Sequence, residues 1–261
     1  MRSIVFIFFF LTSTCFAQGK YKLITTIEAA TDYFTTDNQS NIYVVKVDEL
    51  SKYDKTGKLL YKYSNKNLGK ITSVDASNML RILLFYKDFS EVVFLDNTLS
   101  QNGEPIKINL LDIYQAPLAC SSYDNGMWVY DSQTFSILRY DKTLQDIRKT
   151  MLNGLSTDTI QPVSILEYNN YVYLNNPKSG ILIFDIYGTY FKTIPIKNSI
   201  QFQPIGDLVY YLVDKKVKAY NIKTAEEKEF EIPLSEFLNF RLEMGVLMLQ
   251  TEKSISLFSA E

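Results

Sequence analysis

"GILIFDIYGTYFKTIPI", residues 180–196, decides the fold. An apolar strand-like run stops at Asp185, turns around Gly188, and gives way to a second strand-like run. Residues 50–63, "LSKYDKTGKLLYKY", follow the same plan more than a hundred positions earlier. The aromatic-Asp step serves as a ruler. It ends at Asp54, Asp96, Asp141 and Asp185, with weaker counterparts at Asn221 and Ser259, so the intervals are 42, 45, 44, 36 and 38 residues. Self-similarity at this period marks stacked supersecondary units.

Each unit keeps one order. An alternating segment such as "KITSVDAS" (70–77) or "PVSILEY" (162–168) comes first. A turn rich in Gly, Asn and Asp follows, for example Asp124-Asn125-Gly126 or Asn169-Asn170. These residues accept the positive φ that tight hairpins need. The most apolar strand is next ("ILLFY" from 82, "MWVY" from 127), then the ruler strand. Last come outer, more charged strands: "LLYKYS", "PIKINL", "QDIRKT", "YFKTIPI" and "EEKEFEIP". Four antiparallel strands per unit describe a propeller blade. The expected fold is therefore all-β, a single β-propeller of about six four-stranded blades over residues 18–261. The ruler acids are expected to close turns by bonding their own backbone two residues on. "YKLITTIE" (21–28) is left over at the start, and the sixth unit stops after three strands. The leftover strand is expected to close the ring, removing edges that would template aggregation. Residues 233–244, "PLSEFLNFRLEM", carry both helical and strand spacing. The repeat requires a first strand there, and a helical turn after Pro233 could accompany it.

The opening residues "MRSIVFIFFFLTSTCFAQG" read as a secretory leader. Arg2 precedes the apolar stretch Ile4 to Leu11, and small residues lead to a cleavage point after Ala17. The apolar stretch, about eight residues, is too short to span a bilayer. Lipidation at Cys15 is the alternative, but Leu11 stands one place too far away for a good lipobox. Removing residues 1–17 leaves 26 Lys+Arg against 29 Asp+Glu, a formal charge of −3. That argues against a nucleic-acid partner, which favours a clustered positive surface. Cys120 would be the single remaining cysteine, so no internal disulfide can form, and in "PLACSS" it reads as a small buried residue.

Chemistry is narrowed by elimination. The chain has no histidine. That removes Ser-His-Asp and Cys-His nucleophile systems, histidine-ligated zinc and imidazole acid–base work. No nucleophile elbow, phosphate loop or dinucleotide fingerprint is present. The 29 acids could supply a glycosidase pair, but nothing in the sequence selects one. Asp37, Asn38, Ser40 and Asn41 offer oxygen ligands of the kind calcium takes. They lack the loop spacing and sit where the first blade needs its hairpin, so turn chemistry is the reading. Trp128, in an inner strand, is read as packing. No catalytic residue, cofactor or metal is assigned.

The loops remain. Links between second and third strands, and between blades, share one end of a propeller, the usual binding surface by fold analogy. Phe89, Leu111, Ile113, Tyr114 and Phe135, with Leu155, are the apolar side chains read as offered there to a protein partner.

The runs "NMLRILLFYKDFSEVVFLDNTLS" (78–100) and "IYVVKVDELSKYDKTGKLLYKYS" (42–64) resemble a family of exported β-propellers of Bacteroidota, that of the plugs that close type IX secretion barrels from the periplasmic side. The resemblance covers most of the chain beyond the leader. It implies no enzymatic activity, a periplasmic location, and an outer-membrane protein or secretion-translocon subunit as partner, with no membrane span of its own. It supplies no contact residues. Two functional readings follow: a non-catalytic docking propeller, or an exported carbohydrate-binding or carbohydrate-active propeller. The first should present apolar residues on its rim, the second carboxylates or stacking aromatics at the central pore.

Overall fold

A computed structural model describes residues 21–145, 147–156 and 158–260, with the side chain of residue 260 left aside. The leader and Cys15 lie outside the described residues. Six four-stranded antiparallel sheets form the blades of a β-propeller. The first blade holds β2 (Tyr33–Thr36), β3 (Ile42–Lys46), β4 (Glu49–Tyr53) and β5 (Leu59–Ser64). The second holds β6 (Ser73–Asp75), β7 (Ile82–Tyr86), β8 (Glu91–Leu95) and β9 (Ile106–Lys107). The third holds β10 (Leu118–Ser121), β11 (Met127–Asp131), β12 (Ser136–Tyr140) and β13 (Ile147–Met151). The fourth holds β14 (Ser164–Tyr168), β15 (Tyr171–Asn176), β16 (Gly180–Asp185) and β17 (Tyr190–Ile194). The fifth holds β18 (Gln201–Ile205), β19 (Leu208–Val213), β20 (Lys216–Asn221) and β21 (Glu227–Phe230).

The sixth blade closes the ring. It joins β22 (Asn239–Glu243), β23 (Val246–Gln250) and β24 (Ser254–Ala260) to β1 (Tyr21–Glu28), which takes the outer position beside β24. Their register runs from Tyr21 opposite Ala260 to Glu28 opposite Ser254, with an irregularity between Leu23 and Thr25.

The second strand of a blade is largely apolar because both of its faces are covered by neighbouring blades. In β7, Ile82, Leu84 and Tyr86 join the core between the first and second blades. Leu83 and Phe85, one step out of phase, join the core between the second and third. The period of two thus divides one strand between two cores. Burying each such aliphatic or aromatic side chain contributes about 1.5–3 kcal/mol. Cys120 and Trp128 belong to the core between the third and fourth blades. Burial pushes the Cys120 thiol up, away from a nucleophile's range.

The ruler acids close turns. Asp54 Oδ1 accepts from Thr56 N, Thr56 Oγ1 and Lys58 N. Asp96 repeats the pattern with Thr98 and Ser100, and Asp141 with Thr143 and Gln145. Asp185 and Asn221 keep the bond two residues on. Ser259 departs from the series, since it lies inside β24, paired with Lys22. No third-to-fourth hairpin is needed where the fourth strand comes from the other end of the chain. Asp37 holds its turn in the same way, accepting from Gln39 N, Asn41 N, Asn41 Nδ2 and the Tyr43 hydroxyl.

Two expectations are corrected. "PIKINL" is a strand only at Ile106–Lys107, and Ile108–Leu111 is a 3-10 turn. Residues 231–238 carry no helical turn; Phe237 anchors that stretch in the core between the fifth and sixth blades.

Candidate functional site

The ring has two ends. Because blade strands alternate in direction, second-to-third links and blade-to-blade links meet at one end. The first-to-second and third-to-fourth hairpins meet at the other.

At the link end, several blades and junctions offer a large exposed apolar side chain. The first four blades and their junctions supply Val47, Phe89, Leu110, Tyr114, Phe135 and Val163. Ile200 and Leu238 continue the series at the last two junctions. Phe89 is 53% exposed, Tyr114 69% and Phe135 39%, so these three stand where the sequence placed them. Leu111 and Ile113 do not. Leu111 is half-buried against the core between the second and third blades, and Ile113 is buried within it. The cause is the 3-10 turn at Ile108–Leu111. Its repeat of three puts Leu111 on the inward face with Ile108 and turns Leu110 outward. Asp112, at φ 58°, then reverses the chain and returns Ile113 to the core. Leu155 is half-buried too, packed against the core between the third and fourth blades.

At the hairpin end a central cavity of about 790 Å³ opens among the first strands. Its lining reaches the hairpin residues Asn38, Ser77, Tyr168, Ile205 and Gly245. Four carboxylates line it (Asp37, Asp75, Glu167 and Glu243) with one cation, Arg241. Sequence reasoning missed this group. Its signal was an acid closing an alternating first strand: "SVD" at 75, "SILEY" at 167 and "NFRLE" at 243.

Most of this charge ties blades together. Glu167, on β14, accepts from Trp128 Nε1 at 2.6 Å, Ser122 Oγ at 3.0 Å and Tyr123 N at 2.8 Å, all in the third blade. Trp128 is therefore packing, as expected, and also a donor. Asp75 accepts from Ser121 N at 2.8 Å and Ser77 N at 2.9 Å. Glu243 Oε1 joins three blades, accepting from Thr36 Oγ1 at 2.7 Å and Gln203 Nε2 at 2.9 Å. Arg241 Nη2 donates to Thr35 Oγ1 at 2.5 Å.

Burial raises the Glu243 carboxyl above its ordinary range, against the lowering influence of the Thr36 bond and Arg241. The folded state therefore holds this proton to a higher pH than the unfolded chain does. That contribution is complete below the unfolded value of about 4.5 and is lost as pH rises through the higher folded value. Glu243→Gln keeps the acceptor oxygen without the charge. As pH rises above about 4.5, the melting temperature of the parent is expected to fall relative to this variant. Parallel melting curves across that range would remove the buried-carboxyl explanation.

No family model matches the sequence. No curated protein matches it either. Solved structures do resemble it. A catalytically inactive histidine-to-alanine variant of virginiamycin B lyase from Staphylococcus aureus, determined with quinupristin, aligns with a TM-score of 0.61 at 13% identity, covering 93% of this chain and 99% of that one. BamB from Moraxella catarrhalis aligns with 0.55 at 11%, covering 92% and 100%. BBS1N in complex with ARL6DN aligns with 0.59 at 9%, covering 94% and 98%. The chain is a six-bladed β-propeller. At these identities the likeness speaks for the fold alone, since enzymes and proteins seen with partners share it.

Proposed function

We propose that the protein is a non-catalytic docking propeller of the periplasm, seated by its link end on an outer-membrane or secretion complex. In its specific form the role is that of a plug closing a type IX translocon barrel from the periplasmic side, the role its sequence resemblance implies. The observation that carries docking is the series of exposed apolar side chains at the link end, from Val47 and Phe89 through Tyr114 and Phe135 to Ile200 and Leu238. Aromatic and large aliphatic side chains gathered on one surface anchor protein interfaces. Export rests on the leader read at residues 1–17. Among the neighbours, BBS1N is described with a protein bound, and the inactive lyase variant lost a histidine, a residue type absent from this chain.

An exported carbohydrate-binding or carbohydrate-active propeller is the second reading, favoured by the acidic cavity. Its weakness lies in the hydrogen bonds. Both oxygens of Asp37, Asp75 and Glu167 already accept from the protein. A glycosidase needs two carboxyl groups free to work on a substrate.

The test is recovery of the partner from detergent-solubilised envelope with tagged protein. Replacing Phe89 and Tyr114 together by Ala is expected to weaken recovery by at least about tenfold, since a true hot spot costs upwards of about 2 kcal/mol. Neither residue is buried, so circular dichroism and melting should stay unchanged. Lys58 and Lys142, exposed at the hairpin end, serve as controls. If the control variant loses the partner while the double variant keeps it, the binding face is the other end.

A further inference from the structure

The central cavity holds polar groups that the fold leaves without partners. Arg241 lines it, and its Nε is buried with no hydrogen-bond partner. Among the described residues no carboxylate forms an ion pair with this guanidinium, whose one side-chain bond goes to Thr35. Beside it the buried Tyr33 hydroxyl meets the Val74 backbone and bonds no side chain among the described residues. A buried donor without an acceptor is costly, and such groups are ordinarily satisfied by something bound.

The acceptor side is equally specific. The carboxylates of Asp37, Asp75 and Glu167 are committed to the fold, whereas Glu243 Oε2 accepts no bond from the described residues. Arg241 and Glu243 are two residues apart on β22, so they leave one face of the strand with their Cα atoms about 7 Å apart. Both line the cavity, a donor and an acceptor on one wall. The group that fits between a guanidinium and a carboxylate carries both charges: a carboxylate for Arg241 and an ammonium for Glu243. Around them the walls are largely apolar, with Phe34, Phe202 and Tyr210 contributing. The volume, about 790 Å³, lies within the span typical of small-molecule sites.

We propose that the hairpin-end cavity binds an α-amino-acid zwitterion with an apolar side chain, its carboxylate on Arg241 and Tyr33 and its ammonium on Glu243. The site is at the opposite end of the ring from the docking surface, so it stands or falls independently of that reading.

Calorimetric titration of L-phenylalanine into the purified protein tests it. Saturable binding is expected, weakened about tenfold or more for L-phenylalanine amide, which lacks the carboxylate, and for N-acetyl-L-phenylalanine, which lacks the ammonium. Arg241→Met and Glu243→Gln should each weaken binding by a similar factor. Tyr33→Phe removes a hydroxyl that bonds no side chain among the described residues, so it should fold with a melting temperature close to the parent's and still bind more weakly. Lys142→Ala, outside the cavity, should leave binding unchanged. No heat with L-phenylalanine up to about 10 mM, or equal binding of either blocked analogue, would overturn the proposal. So would Tyr33→Phe binding as tightly as the parent.

Discussion

Deleting residues 21–28 is expected to abolish the soluble monomer. The segment is the fourth strand of the sixth blade, and its backbone pairs with β24 from Tyr21 to Glu28. Without it β24 becomes an open edge with unpaired N–H and C=O groups, a template for pairing with another chain. The loss is also apolar. Ile27 is buried in the core between the sixth and first blades with Ile255, Leu257 and Phe34. The two ends of the chain meet inside the sixth blade, where no covalent bond joins β1 to β24. Size-exclusion chromatography should show aggregate, and any soluble fraction should melt well below the parent. A deletion protein that stays monomeric with unchanged melting would end the closure argument. Adding the segment back as a synthetic peptide should restore a monomeric fraction, which a general effect of truncation would not.

Glu167→Ala should be the most damaging single change at the cavity. It strips acceptors from three donors at once: the Trp128 indole, the Ser122 hydroxyl and the Tyr123 amide. Trp128 is fully buried, so its N–H cannot turn to bulk water. Leaving a buried donor unsatisfied costs about 1–3 kcal/mol, and the three together should cost about 3–5 kcal/mol, allowing for partial rescue of the outer two by water. Glu167→Gln keeps an acceptor and should lose about half of that. Chemical denaturation of the three proteins checks the order. An alanine variant as stable as the parent would mean that the link between the third and fourth blades carries little weight. Trp128 fluorescence reports the same event locally, because its indole is the group released.

The docking prediction is smaller in stability but more informative about role. Phe89 and Tyr114 were legible as loop residues since each stands outside a strand pattern. Leu111 and Ile113 looked equivalent, and the structure separates them by a single 3-10 turn. A turn of that length leaves no period in the sequence, so the exchange of Leu111 for Leu110 could not be read there. Val47, Ile200 and Leu238 escaped for another reason. Each lies next to or within a strand-like pattern that gives it no separate signal, and it gains meaning only when the ring brings the links to one end.

What the sequence determined by itself is what short-range physics sets. Alternation of period two, the positive-φ turn residues and the acids that accept from the backbone two positions on are all encoded within a few residues of one another. Their recurrence sufficed for six blades and for the strand that closes them. The tertiary structure alone decided the cavity. Arg241 meets Thr35 across 206 positions, and Glu167 meets Trp128 across 39. In the chain these are unremarkable polar residues at the ends of strands. They become one site because the ring turns each blade's first strand toward the axis. There, the same lack of water that makes an unpaired guanidinium costly also makes it able to hold a ligand.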